Sequence, residues 1–131
     1  MVDVTGLSVA ITPSATSSKV LVQASVTCSG TVSNRLFVGL KRDSTVIANG
    51  DATGSRITGV FTGNEVEGSN SLGSYTISFL DSPNTTSATT YQITGCSEGS
   101  NTFKLNRGDS DGDSSTVARG ASTITVMEIL A

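Results

Sequence analysis

Two stretches decide the fold: Leu7-Ser8-Val9-Ala10-Ile11-Thr12 and Lys19-Val20-Leu21-Val22-Gln23-Ala24-Ser25-Val26-Thr27. In the first, a large apolar side chain recurs at every second residue. Successive side chains of a strand point to opposite faces, so this period of two describes a strand with one apolar face. In the second, Val20, Val22, Ala24 and Val26 fall on one side and Leu21, Gln23, Ser25 and Thr27 on the other. A slip of one residue would turn the valines to water, so the register is strongly specified. Pro13-Ser14 separates the two strands.

Working outward, Leu36 to Lys41 is apolar on both faces, as a strand buried between layers is. Arg42-Asp43-Ser44-Thr45 then supplies turn residues before Val46-Ile47-Ala48, which reads as a hairpin. Asn49-Gly50-Asp51-Ala52-Thr53-Gly54 is turn chemistry, and a strand is expected from Arg56 to Thr62. A polar, glycine-rich stretch from Gly63 to Gly73 precedes the alternation of Tyr75, Ile77 and Phe79 with Thr76, Ser78 and Leu80. Asp81-Ser82-Pro83-Asn84 breaks that strand. Further strands are expected at Thr90 to Cys96, Thr102 to Asn106 and Ala121 to Leu130. No window sustains a helical period. The expectation is one all-β domain spanning 1–131, an antiparallel β-sandwich or jelly roll of about eight or nine strands.

Composition narrows the function classes. With 8 Lys and Arg against 11 Asp and Glu, the formal charge is -3. The scattered basic residues form no stripe to follow a phosphate backbone, so nucleic acid is not an expected partner. No apolar run approaches the roughly 18 residues a membrane helix needs. Met1-Val2-Asp3-Val4 lacks the charged and apolar regions of a signal peptide, so a cytosolic history with reduced thiols is expected. Cys28 and Cys96 match no metal-ligand spacing and are expected as free, buried thiols.

The chain has no histidine. That removes the commonest general base, the Ser-His-Asp and Cys-His arrangements, and most transition-metal sites. No catalytic residue, cofactor or resident metal is expected. A carboxylate pair can hydrolyse a glycosidic bond without histidine, and Glu65 and Glu67 share a face if extended. A solvated loop is the favoured reading, because the chain has no Trp and 2 Tyr with which to build a sugar platform. Asp109-Ser110-Asp111-Gly112-Asp113 has the alternating carboxylates that calcium prefers. It departs from the EF-hand pattern at Ser114 and Gly120, where Gly and Glu are required, so a solvated loop is favoured again. Arg107-Gly108-Asp109 spells an adhesion tripeptide of a length that recurs by chance, and Asn84-Thr85-Thr86, a glycosylation acceptor pattern, is read as a turn.

The final strand is more informative. Ile124, Val126 and Leu130 share one parity with Glu128, while Met127 and Ile129 take the other beside Thr123 and Thr125. One face fills the core; the second needs a cover, either loops of the same chain or symmetry mates in a closed oligomer. In the oligomeric reading, Met127 and Ile129 lie at the contact between copies, or Ile124 and Val126 if the faces are reversed.

Several segments resemble a known family. Ser8 to Val22, Phe79-Leu80-Asp81-Ser82-Pro83, Thr86 to Tyr91 and Arg119 to Ile129 are similar to a head domain of virion surface proteins in tailed bacteriophages, especially those of cyanobacteria. The likeness covers nearly the whole chain. It implies a homotrimeric β-sandwich head, used as a capsid knob or a tail-fibre tip, and transfers no catalytic residues. With Met1 almost directly before the first strand, the expectation is a stand-alone capsid decoration or cement protein. Such a knob is assembled in the host cytoplasm, displayed on the virion surface and bound to the major capsid protein, with host glycan or protein as further partners. The alternatives are a receptor-binding fibre tip and, more distantly, a carbohydrate-cleaving tailspike-type enzyme. Residues 1–6, through Val2 and Val4, are expected to attach the knob by strand addition to a neighbouring sheet edge.

Overall fold

The computed structural model describes residues 1–99 and 102–130, with the backbone alone at 62–64. Among these residues there are nine strands and no helix. They are β1 (Val2–Ile11), β2 (Lys19–Ser29), β3 (Arg35–Arg42), β4 (Thr45–Ile47), β5 (Phe61–Glu65), β6 (Gly73–Asp81), β7 (Thr89–Ser97), β8 (Lys104–Leu105) and β9 (Thr123–Ile129). They form two antiparallel sheets, in the manner of a sandwich. The first runs β1-β7-β3-β4, with β5 also pairing with β3; the second runs β6-β2-β8, with β9 also pairing with β2.

The alternation of β2 organises the second sheet. Val20, Val22, Ala24, Val26 and Cys28 face inward and are buried. Opposite them on the inner faces stand Leu36, Val38, Leu40, Tyr91 and Ile93, joined by Tyr75 and Ile77 of β6. Each fully buried aliphatic side chain contributes about 1.5–3 kcal/mol by leaving water. One polar group links the sheets through this core. The carboxylate of Asp81 on β6 accepts hydrogen bonds from Arg42 Nη1 of β3 at 2.9 and 2.7 Å and from the Tyr91 hydroxyl of β7 at 2.7 Å. Tyr91 is wholly buried, and that burial, reinforced by Asp81, pushes its hydroxyl pKa upward.

Three boundaries differ from the sequence expectation, each for a physical reason. β1 starts at Val2, not Leu7, because Val2 pairs with Gly95 and Asp3 with Thr94 of β7. The ladder then bulges, Gly6 takes a φ of 84°, and pairing resumes at Ser8. The bulge resets the alternation, so Val4 and Leu7, of opposite parity, are both buried. The side-chain amide of Gln92 donates to the stranded carbonyls of Val4 and Leu7 at 2.8 and 3.0 Å. β5 covers 61–65 where 56–62 was expected, since the ladder to β3 begins only at Phe61. Gly59 lies against the carbonyl of Val38, where a Cβ would sit at 2.7 Å, so the chain crosses β3 there before joining it. β8 is reduced to Lys104 and Leu105, opposite Ser29 and Cys28.

A candidate interaction surface on the second sheet

β9 pairs with β2 from Lys19↔Ile129 to Ser25↔Thr123. This register resolves the two faces of the final strand. Ile124 and Val126 turn inward and pack against the core. Met127 and Ile129 turn outward, 47% and 43% exposed. Their cross-strand neighbours extend the patch. Leu21 of β2 stands directly between Met127 of β9 and Leu80 of β6, and Leu80 is 49% exposed. Directly opposed side chains on a sheet have Cβ atoms about 5 Å apart, so the three form one apolar row. Ile129 follows beside Lys19.

The rest of that face is hydroxyl-rich. Ser78, Gln23 and Thr125 form the next row, then Thr76, Ser25 and Thr123. Lys19 is the one charged side chain carried on the outward face of β2, β6 and β9. Depletion of charge around an apolar centre is the compositional mark of a protein interface. A second exposed apolar group, Met1, Val46 and Ile57, lies on the first sheet around Gly39 and Thr94. The Lys41–Asp3 ion pair, 2.7 Å, interrupts it.

Leu21 and Leu80 join this surface in addition to the residues that the last strand's pattern singles out. Their signal was present: each is the large apolar residue on the otherwise polar face of its strand. Glu128, of inward parity at the end of β9, accepts from the Ser14 amide at 2.6 Å and the Ser14 hydroxyl at 2.7 Å. These bonds hold its carboxyl below the usual carboxylate range and pin β9 to the turn after β1.

The expected attachment segment is placed differently from the sequence reading. Residues 2–6 belong to β1 instead of preceding the first strand, because Val2 and Asp3 are held in the ladder to β7. Val4 is committed to the core, whereas Val2 is 69% exposed. Both border an open cleft of about 410 Å³ with Phe103 and Leu105.

Glu65 and Glu67 flank the buried Val66 and border a cleft of about 340 Å³ with Ser29, Tyr75 and Cys28. Burial pushes the Cys28 thiol up to about 12, so it is protonated at neutral pH. Cys96 lies in the other sheet and, unlike the expected buried thiol, is only partly buried; both thiols are free. The acidic loop disperses its carboxylates. Asp109 meets Lys104, whose hydrogen bond holds the carboxyl below its ordinary value, while Asp111 pairs with Arg119 at 2.7 Å and Arg107 at 3.5 Å. Arg107-Gly108-Asp109 is folded onto its own chain: a Cβ at Gly108 would lie 2.8 Å from the Ser69 carbonyl. Among the described residues, no three His, Cys, Asp or Glu side chains gather as a metal cluster would.

The chain matches no known family model and no curated protein sequence, and what its own geometry presents is an all-β, sandwich-like domain in which the outward face of β2, β6 and β9 is apolar at one end and carries Lys19 as its one charge.

Proposed function

We propose that the chain is a non-enzymatic structural protein of a bacteriophage particle, a homotrimeric decoration or cement knob on the capsid surface. The observation that carries this reading is the outward row Leu80, Leu21 and Met127 with Ile129 beside it. Large apolar groups on a nearly uncharged face favour cover by another protein surface. The segments similar to phage head domains supply the class of particle. In its finer form the reading makes the sandwich a jelly roll and puts Met127 and Ile129 near the threefold axis. The exposed Val2 end of β1 then meets the major capsid protein, and the absence of histidine fits a role in assembly.

Two measurements test it. Light scattering of the purified chain is expected to give three copies per particle, and a Met127→Lys, Ile129→Lys double variant is expected to be monomeric with an unchanged circular dichroism spectrum. Copy number per virion is expected in the hundreds. Tens or fewer would move the protein to a fibre tip, and a wild-type monomer in solution with no threefold neighbours in the virion would overturn the trimer.

A further inference from the structure

The segment between β4 and β5 holds the one Asn-Gly pair of the chain, Asn49-Gly50; each of the other six asparagines is followed by a residue with a β-carbon. The Cγ of an asparagine lies within reach of the next backbone nitrogen, and attack by that nitrogen closes a five-membered ring. A β-carbon on the attacking residue crowds the approach, and glycine has none.

The structure leaves this pair open. Asn49 and Gly50 lie outside every strand, and both are exposed. A Cβ built on Gly50 would meet its nearest neighbour, the Gly59 carbonyl, only at 4.0 Å, so the surrounding chain does not fix the orientation of this residue by packing. Among the described residues the Asn49 side chain makes one hydrogen bond, from Nδ2 to Thr58 Oγ1 at 2.5 Å. Ring closure expels Nδ2, so this bond must break first and opposes the reaction. Asp111-Gly112 has a similarly open backbone, but its side chain is a carboxylate held by Arg119 and Arg107, and a carboxylate is a poorer electrophile than an amide.

We propose that Asn49 is a self-modifying site, at which the Gly50 nitrogen displaces the side-chain amide as ammonia and water then leaves a carboxylate, with Thr58 restraining the reaction. The Gly50 N–Cγ bond forms, the Cγ–Nδ2 bond breaks, and the Gly50 amide proton leaves with the ammonia. Water then opens the cyclic imide at either carbonyl, giving aspartate or isoaspartate at position 49. The product adds one negative charge to the formal -3. Its place matters, because Asn49 borders a cleft of about 340 Å³ with Met1, Val46 and Ile57, the exposed apolar group of the first sheet. Lys41 borders the same cleft, so the new carboxylate competes with Asp3 for that ammonium. This inference is independent of the oligomer proposed above.

The test is incubation of the full native chain at mildly alkaline pH, followed by peptide mapping. A gain of one mass unit is expected in the peptide that carries Asn49, as a mixture of aspartate and isoaspartate, with the peptide of Asp111 unchanged. Gly50→Ala is expected to slow the gain at least about tenfold. Thr58→Val removes the acceptor at constant shape and is expected to speed it about threefold, the equivalent of one ordinary hydrogen bond. Thr58→Ser keeps the hydroxyl and is expected to match wild type. In urea the wild-type and Thr58 chains are expected to react alike, since the restraint needs the fold. An Asn49 peptide that keeps its mass in the native protein would overturn the site, as would an equal gain at the other asparagines. Equal native rates for Thr58→Val and wild type would overturn the role of Thr58.

Discussion

Replacing Asp81 with alanine severs the one polar link described between the two sheets. The change strands two groups. The Tyr91 hydroxyl is wholly buried and loses its 2.7 Å acceptor, which costs about 1–3 kcal/mol for an unsatisfied buried donor. Arg42 loses both of its carboxylate contacts. Its side chain is 24% exposed, so water partly restores its solvation, and its share is about 1–2 kcal/mol, below the cost of breaking a fully buried pair. The sum is about 3 kcal/mol, or roughly 10 °C in melting temperature for a domain of this size. Urea unfolding followed by circular dichroism measures it directly. The second arm is Tyr91→Phe, which alone removes a hydrogen bond to a carboxylate and costs about 1.5–3 kcal/mol. In the Asp81→Ala background the same change removes the stranded hydroxyl and is expected to restore stability. A double variant no more stable than Asp81→Ala alone would refute the reasoning, as would an Asp81→Ala protein within about 0.5 kcal/mol of wild type.

Glu128 and Asp109 both have folded-state pKa values lowered from ordinary values of 4.5 and 3.8. Their stabilisation is therefore present above those values and lost as pH falls through the depressed ones. Melting temperature is expected to drop as pH falls below about 4.5, and a Glu128→Gln, Asp109→Asn variant should show a flatter profile; an unchanged slope would count against the assignment. Gln92→Ala leaves the bulge carbonyls of Val4 and Leu7 without their side-chain donor. It is expected to cost about 1–2 kcal/mol, with faster amide exchange in β1 and little change in β6.

The legible parts of the fold were those where one face of a strand is buried. β2, β6, β7 and β9 fall within about two residues of their expected positions, because alternation reports directly on such strands, and β3 does so through its continuous apolar run, buried on both faces. β1 extends beyond its legible alternation because its bulge breaks the period between Asp3 and Ser8, and the compensating group, Gln92, lies far away in sequence. β5 was displaced because Ile57 and Val60 look like strand residues, yet the former is exposed and the latter belongs to the crossing over β3. The outward parity of Met127 and Ile129 was one of two options in the sequence, since both faces of β9 are apolar. The register against β2 resolved it. Leu21 became part of the surface only through its two cross-strand neighbours, a relation between residues some sixty to a hundred positions apart that a single-strand pattern does not contain.

The position of β2 at the middle of its sheet has a consequence for the order in which the chain acquires structure. One of its edges waits for Gly73–Asp81 and the other for Lys104–Leu105 and Thr123–Ile129, while β1 waits for Thr89–Ser97. A chain emerging from a ribosome therefore holds Val20, Val22 and Val26 in the open until distant partners arrive. Closure of such long loops makes folding slow compared with helical domains of similar size. Through that interval the uncharged segment Tyr75–Leu80 is also in the open, so the yield of soluble protein is set by a race between arrival of β9 and encounter with another nascent chain.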